Sequence, residues 1–281
     1  MKLPLLLAFV AATSLKAAPI VLLDDKFDDG DRTTQSLPGS SRWYYLGGSG
    51  SMSASNHTLN WNIGSGYASA LTYFSAAPIA LEVGDTLTAS LTLAFDNIGA
   101  TSLANSLRIG LFNSGGTRVS ADVPGSRFNP TFNNYAGYYG NLNPLSTAAN
   151  TFSAYRRGNT ANQDLFTLSS LYLSPSGNSV LFQEDTPLQV ITRVTRTATG
   201  VAWSFTIGGT TIQGIDVGSS YFSFDTLALY VAGPTNTAQN LLLSNINVEV
   251  IPEAQSALLI LLGAGILIMR RNGRAGASVT R

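Results

Sequence analysis

Residues 86–95 alternate strictly between apolar side chains and side chains that are mostly hydroxylated. A period of two places the apolar positions on one face of an extended strand and the polar positions on the other. Residues 201–207 repeat this pattern, and Gly208 and Gly209 then form a hairpin turn into residues 210–212. These segments predict strands with one buried face.

Shorter stretches of the same kind recur along the chain, and no convincing helical period interrupts them between residues 20 and 250. They lie at residues 59–63, 107–111, 188–194, 227–231 and 244–250. Strands with one polar face, separated by Gly, Pro, Asn and Ser turns, bury their apolar faces by stacking two antiparallel sheets. The sequence therefore predicts an all-β fold, an antiparallel β-sandwich of the jelly-roll type, as one domain over residues 19–250.

The composition of the chain limits the chemistry that it can perform. Charged residues are 11% of the sequence and cysteine is absent, which excludes disulfides, a thiol nucleophile and cysteine zinc sites. Residues 18–251 hold 15 acidic and 10 basic side chains, a net charge of −5. We therefore expect no nucleic-acid partner for the folded domain, because nucleic acids bind basic surfaces.

Both ends of the chain carry apolar runs with basic flanks. Residues 1–18 have a lysine, an apolar stretch and small residues up to Ala17 and Ala18, which is the layout of a secretory signal peptide. A bulky residue stands where cleavage prefers a small one, so an uncleaved anchor is the alternative. Residues 254–269 would reach about 24 Å as a helix against a hydrocarbon core of about 30 Å. We predict one transmembrane helix there, with the arginines that follow it in the cytoplasm and the domain outside.

The order of residues in the segment 251–281 resembles the PEP-CTERM sorting tail of exported bacterial proteins. Pro252 and Glu253 match its motif, an apolar run follows, and Arg270 and Arg271 form the basic cluster, although Ala254 replaces the usual second proline. The resemblance implies export machinery and an exosortase, a membrane-embedded processing enzyme, as partners. It also implies transient membrane anchoring, followed by delivery to the cell surface or an extracellular polysaccharide matrix.

The layout of the central domain resembles the concanavalin A-like and laminin G-like jelly rolls of secreted proteins. The matching pieces are an early "LLDDKFDDGDRT", the Trp-Tyr segment at residues 43–45, "LRIGLFNSGGT", and "LQVITRVTRTATGVAWSFTIGG" before a last strand. The resemblance implies a fold that carries glycan binding in some proteins and glycan cleavage in others. Because one fold hosts many functions, the site must decide between them.

The sequence shows no catalytic constellation. His57 is the sole histidine, and neither a Gly-x-Ser-x-Gly elbow nor a nucleotide-binding glycine motif is present. A glycosidase needs two facing carboxyl groups, and the Glu-x-Asp-x-x-Glu arrangement common in this fold is missing. Glu184 and Asp185 are the nearest acidic cluster, and Pro187 predicts that they lie in a turn. A lyase that uses Tyr and Arg stays open as an alternative.

An acidic stretch near the start of the domain is a candidate calcium site. Asp25, Asp28, Asp29 and Asp31 surround Gly30, and carboxylate oxygens on a turn are ligands that calcium prefers. The spacing does not fit an EF-hand loop. The alternative interpretation is a solvated acidic turn, and no cofactor is required by the predicted function.

An aromatic stretch in residues 128–157 is a candidate glycan-binding groove. Tyrosine rings offer flat apolar faces to sugars, and arginines donate hydrogen bonds to hydroxyl groups. The alternative is a long loop whose tyrosines pack on the sandwich. The candidate residues are Tyr135, Tyr138, Tyr139, Tyr155, Arg156 and Arg157.

Together these features predict an exported surface or matrix protein that is not an enzyme. We expect it to be associated with exopolysaccharide and to bind glycan or contribute structure. The alternative is a secreted glycan hydrolase or polysaccharide lyase on the same fold.

Overall fold

The computed structural model describes most of the predicted domain. The described residues are 17–64, 66–96, 107–142, 152–158, 162–167, 171–177, 180, 182–219, 221–233 and 240–253. The predicted signal peptide, except for its last two residues, lies outside them, as does the predicted transmembrane segment 254–269. Within the described residues, no helix has the length and apolar character needed to cross a membrane.

The described residues form strands joined by turns, together with one 3₁₀ helix at Pro130–Asn134. The strands are β1 (Ile20–Asp25), β2 (Trp43–Gly47), β3 (Ser51–Ser55), β4 (Thr58–Asn62), β5 (Gly66–Tyr73), β6 (Ile79–Ala80), β7 (Thr86–Asp96), β8 (Leu107–Asn113), β9 (Val123–Pro124), β10 (Ala136–Leu142), β11 (Phe152–Arg157), β12 (Leu171–Gly177), β13 (Leu188–Thr197), β14 (Gly200–Ile207), β15 (Thr210–Val217), β16 (Ser223–Phe224), β17 (Thr226–Gly233) and β18 (Asn240–Ile251). Every segment that the alternation predicts as a strand coincides with one of them, apart from residue 63, which follows the end of β4, and this confirms the all-β prediction.

Two eight-stranded sheets form the sandwich. Sheet I has the order β15-β14-β13-β7-β18-β4-β3, with β1 also paired to β18, and sheet II has the order β12-β11-β10-β8-β17-β5-β2-β9. The pairing is antiparallel except between β2 and β9. Strands far apart in sequence are neighbours, such as β18 beside β7 and β17 beside both β5 and β8.

The main core lies between the two sheets. Every second residue along the strands of both sheets points into it. Leu91 and Val248 enter it from sheet I, and Leu227 and Leu111 enter it from sheet II. Trp43 and Trp61 are among its largest fully buried side chains. Burial of these apolar faces is the main force that holds the sheets together.

A second apolar cluster lies on the outer face of sheet II, the face that points away from sheet I. Tyr44, Phe112 and Tyr230 point outward from this sheet and belong to that cluster. They are covered by two segments, residues 114–135 and 162–167, which we call the cover layer. Phe132 and Phe166 of the cover layer complete the cluster. The outer face of sheet II is therefore largely roofed rather than open to solvent.

Candidate functional site

A groove of about 630 Å³ lies where the cover layer ends, over the outer face of β2 and β5. Residues of the segment 33–42, the turn after β5 and the cover layer form its walls. Its volume falls in the range of about 300–1,000 Å³ that is typical of ligand sites. Strand alternation creates the groove floor, because Tyr44 of β2 and Tyr73 of β5 both point outward.

Two tyrosine rings form the apolar part of the groove. The ring centroids of Tyr44 and Tyr73 are 5.7 Å apart in an edge-to-face arrangement. The Tyr73 hydroxyl accepts a hydrogen bond from the Val119 amide at 2.7 Å and shares another with the Tyr135 hydroxyl at 2.7 Å. Burial raises the pKa of Tyr73 to about 12, against the opposing effect of these hydrogen bonds. The hydroxyl therefore stays neutral at physiological pH.

Two arginines give the groove its positive charge. The guanidinium carbon of Arg118 lies 4.6 Å from the Tyr73 ring centroid, and its Nη2 donates to Ser75 O at 2.6 Å and Asp225 Oδ2 at 2.8 Å. The guanidinium carbon of Arg42 lies 5.1 Å from the Tyr44 ring centroid. Unlike Arg118, the half-buried Arg42 has no hydrogen bond or ion pair from its guanidinium to any residue that the structure describes.

Polar side chains complete the groove and fix its walls. Gln35 donates from Nε2 to Tyr73 O at 2.9 Å, and its Oε1 accepts from the Arg42 amide at 2.9 Å. Thr33, Ser75 and Ser120 add hydroxyl groups to the lining. Among the lining residues that the structure describes, none carries a carboxyl group or an imidazole ring. The Tyr44 and Tyr73 rings are themselves 8% and 4% exposed, so the groove presents mainly hydroxyls and cationic donors beside small accessible parts of these rings.

Asp122 connects the cover layer both to Arg32, in the segment before β2, and to β2 itself. Asp122 accepts from Arg32 Nη2 at 2.7 Å and from the Tyr45 amide at 2.9 Å. Partial burial acts to raise the pKa of Asp122, but the hydrogen bonds from Arg32 and Tyr45 and the charges of Arg32 and Arg42 outweigh it, so the pKa is lowered.

We expect Asp122→Asn to lower the unfolding temperature at neutral pH but not in strong acid. Because the folded-state pKa lies below the ordinary value of 3.8, the stabilisation by Asp122 is present above that value and is lost as pH falls through the folded-state pKa. Thermal unfolding of both proteins, followed by circular dichroism from about pH 7 down to about pH 2, measures the difference. A difference that stays constant over the whole range would contradict this prediction.

The structure corrects the prediction that Tyr135, Tyr138 and Tyr139 offer ring faces to a sugar, because all three are fully buried. Tyr138 points into the main core, where its hydroxyl donates to Asp216 Oδ2 at 3.0 Å. Tyr135 is the last residue of the first segment of the cover layer, and Tyr139 lies beneath that layer in the same apolar cluster. The alternative interpretation, that these rings pack on the sandwich, is therefore the correct one.

The candidate arginines of β11 are also engaged within the protein. Arg157 is fully buried and donates to three backbone carbonyl groups, at Tyr135, Phe132 and Asn162. Its prediction as a ligand-binding residue is wrong, since its donors serve the cover layer. Arg156 is half-buried and forms an ion pair with Asp216 at 2.7 Å.

Tyr155 is the predicted aromatic residue that stays partly accessible. Its ring stacks on Tyr139 with a centroid separation of 5.2 Å, and Tyr172 of β12 lies 5.4 Å away on the other side. Tyr172 is 49% exposed. This pair forms an aromatic surface at the β12 edge of sheet II, separated from the groove by β10, β8 and β17.

The acidic stretch at residues 25–31 does not bring its carboxylates together as a metal site. Asp25 is buried and accepts from the Phe27 amide, the Ser41 amide and the Ser41 hydroxyl at 3.0–3.1 Å. Desolvation raises the pKa of Asp25, and these hydrogen bonds oppose the increase. Asp29 and Asp31 accept hydrogen bonds within the turn. The calcium prediction for Asp25, Asp28, Asp29 and Asp31 is therefore corrected to a hydrogen-bonded turn.

The exposed His57 contacts the acidic turn through Asp28, with 2.7 Å between Nδ1 and Oδ1. Elsewhere among the described residues, Asp96, Glu184 and Asp185 each offer a carboxylate oxygen within 4.8 Å of the others. Hard oxygen ligands at such spacing suit calcium. Glu184 and Asp185 lie in a turn region before β13, as their sequence context predicts.

The Pro-Glu motif of the predicted sorting tail lies directly after β18. Pro252 and Glu253 are half-buried, and the Glu253 amide donates to Asp85 Oδ1 at 3.0 Å. The Glu253 side chain covers Gly84, where a Cβ atom would meet Glu253 Oε2 at 1.8 Å. Arg270 and Arg271 lie outside the described residues.

The groove residues Arg42 and Tyr44 were missed by the sequence reasoning. Neither is marked by a motif, and Tyr44 occurs in a Trp-Tyr segment that predicts core packing as readily as a site. The groove depends on the cover layer, which comes from a distant part of the chain.

Comparison with solved structures places the chain in a lectin-like jelly-roll fold, which confirms the predicted fold class. The potassium-bound carbohydrate recognition domain of Emp46p is 11% identical, with a TM-score of 0.50 over 74% of this chain and 88% of that chain. The endo-1,3-β-glucanase from Streptomyces sioyaensis is 11% identical, with a TM-score of 0.49 over 85% and 98%. The exoplasmic/lumenal domain of VIP36 in its Ca²⁺/Man3GlcNAc-bound form is 10% identical, with a TM-score of 0.46 over 82% and 87%. No protein-family model and no curated protein sequence matches this chain.

Proposed function

We propose that the protein is an exported bacterial surface or matrix protein whose β-sandwich binds glycan in the groove without cleaving it. The observation that carries the proposal is the composition of the groove, in which several hydroxyl groups and two guanidinium groups line a concave surface over the largely buried rings of Tyr44 and Tyr73. Aromatic faces and directional donors are the two elements that sugar recognition needs.

The same lining supports binding rather than cleavage. A glycosidase places two carboxyl groups on opposite sides of the scissile bond, and the described lining supplies neither. A lyase needs a tyrosine that exchanges a proton with the substrate. The Tyr73 hydroxyl is already engaged by Val119 and Tyr135, and burial raises its pKa to about 12.

An assay on a panel of polysaccharides tests this proposal. The purified full-length protein is incubated with neutral and acidic polymers, and both retention on glycan resin and new reducing or unsaturated ends are recorded. We expect retention on at least one polymer without any new chain ends. Turnover would contradict the binding proposal in favour of a hydrolase or lyase, and an absence of retention on every polymer would also contradict it.

We also propose that the chain is exported and handled by an exosortase, on the basis of the Pro252-Glu253 motif and the basic cluster at Arg270 and Arg271. The tail would anchor the protein in the membrane at least transiently, before the cell surface or extracellular polysaccharide receives it. An epitope tag inserted within residues 234–239, between β17 and β18, follows the protein through fractionation of native cells. We expect the tag in membrane, surface or matrix fractions. A soluble cytosolic protein with both ends intact would contradict this proposal.

Calcium is a further candidate ligand, at Asp96, Glu184 and Asp185 rather than at the acidic turn. The proposed function does not require it, because no residue of this cluster lines the groove.

A further inference from the structure

We infer that the groove selects acidic glycans, with Arg42 binding the carboxylate of a uronic acid residue. This inference rests on the proposed function and names the class of sugar that the same groove recognises. The protein positions the Arg42 side chain, but the guanidinium group donates no hydrogen bond to any described residue.

The backbone of Arg42 is fixed on both sides. Its amide donates to Gln35 Oε1 at 2.9 Å, and its carbonyl accepts from Thr72 Oγ1 at 2.8 Å. Its guanidinium carbon lies 5.1 Å from the centroid of the Tyr44 ring, which supports the cation through its negative face. Such support reduces the entropy that a long side chain loses when it binds a ligand.

The charges around Arg42 are already neutralised by other partners. Asp122 forms its ion pair with Arg32 at 2.7 Å, and Asp225 forms its ion pair with Arg118 at 2.8 Å. Arg42 has no ion pair with any described residue. Arg42 has a longer-range interaction with Asp122, whose pKa its charge helps to lower, but its guanidinium donors bind no described residue. Its planar fork therefore matches a carboxylate with two parallel hydrogen bonds.

The local lining of the groove, rather than the charge of the whole domain, determines which anion is suitable. Residues 18–251 carry a net charge of −5, which repels phosphate and carboxylate polymers alike. A uronic acid combines one carboxylate with a ring and several hydroxyl groups. The carboxylate matches Arg42 and the hydroxyl groups match the hydroxyls of the lining, beside the small accessible parts of the Tyr44 and Tyr73 rings.

A second groove provides an internal control. It lies on the outer face of sheet I, has a volume of about 330 Å³, and is lined by Arg193, Ser204 and Gln213 among others. Arg193 is exposed, and the aromatic residue in the lining of this second groove is Trp203, which is 3% exposed. The same substitution at Arg193 and at Arg42 thus removes equal charge from the same domain, but only Arg42 lies in the proposed site.

The test compares two forms of one polymer, polygalacturonic acid and its fully methyl-esterified derivative, as ligands for the purified full-length protein. Affinity is measured by biolayer interferometry for wild type, Arg42→Gln, Arg42→Lys and Arg193→Gln, after circular dichroism confirms that each variant is folded. We expect wild type to bind the acid at least about tenfold more tightly than the ester, because charged hydrogen bonds are the stronger ones. We expect Arg42→Gln to abolish this preference, Arg42→Lys to retain part of it, and Arg193→Gln to leave it unchanged.

Two results would overturn the inference in distinguishable ways. Equal affinity for acid and ester, or a preference that survives in Arg42→Gln, would exclude carboxylate recognition by Arg42 while leaving glycan binding intact. Failure of wild type to bind either form or any other polymer of the panel would overturn the proposed function as well.

Discussion

Replacing Arg157 by alanine is expected to lower the free energy of unfolding by about 3–4 kcal/mol, because several buried hydrogen bonds to a charged group are lost together. The guanidinium of Arg157 is fully buried and donates to the carbonyl groups of Phe132, Tyr135 and Asn162. Burial lowers the pKa of Arg157 to about 10, so the group stays charged at neutral pH. Its loss leaves buried carbonyl oxygens with fewer donors and frees both segments of the cover layer from β11.

Urea unfolding followed by tryptophan fluorescence measures this effect. Arg193→Ala is the matched control, because Arg193 is exposed on sheet I and its removal is expected to change the free energy by less than about 0.5 kcal/mol. Arg157→Lys keeps the charge without the fork and is expected to recover only part of the loss. A decrease below about 1 kcal/mol for Arg157→Ala would show that the cover layer does not depend on these hydrogen bonds.

The sequence pattern predicts the strands of the sandwich but not the burial of Arg157 and the tyrosines beside it. Alternation along residues 86–95 and 201–207 identifies strands because one face of each is buried and the other is not. The stretch 136–142 shows no such alternation, and the adjacent residues Tyr138 and Tyr139 are both buried. A strand that is buried on both faces has no polar face, so the sequence alone does not show which of its aromatic residues are buried and which could bind a ligand.

The cover layer is the reason for this difference. It reaches the outer face of sheet II through contacts that are distant in sequence, such as Asp122 with Arg32 and Asp225 with Arg118. Isolated charged residues of this kind have no local pattern that predicts their partners. For the same reason the sequence does not predict the groove at the margin of the cover layer, although Tyr44 on the groove floor belongs to the aromatic segment 43–45.

The cover layer also determines where a ligand has access to sheet II. It covers Phe112, Tyr139 and Tyr230 in the middle of the sheet. The places that it leaves accessible include the groove over β2 and β5, the Tyr155 and Tyr172 surface at the opposite edge, and Tyr67 of β5, which is 47% exposed. The groove carries the proposed function because it contains Arg42, which has no ion pair with any described residue.

Asp225 connects the stability of the cover layer to the groove, and Asp225→Ala is expected to lower the free energy of unfolding by about 3–5 kcal/mol. Its fully buried carboxylate accepts from the Ser114 amide at 2.9 Å, the Ser114 hydroxyl at 2.6 Å, Arg118 Nη2 at 2.8 Å and the Thr226 hydroxyl at 2.8 Å. Alanine leaves these donors without their acceptor and leaves the partly buried Arg118 without its counter-ion.

Urea unfolding of Asp225→Ala, Asp225→Asn and a control variant, Asp24→Ala, separates this role from a general loss of negative charge. Asp24 forms an exposed ion pair with Lys26, so its removal is expected to cost less than about 0.5 kcal/mol. Asparagine keeps the shape of the Asp225 side chain but not its charge, and we expect it to lose about half as much stability as alanine. Because Arg118 lines the groove, both Asp225 variants should also weaken glycan retention, whereas Asp24→Ala should not. Full retention by a destabilised Asp225 variant would show that the groove does not depend on the position of Arg118.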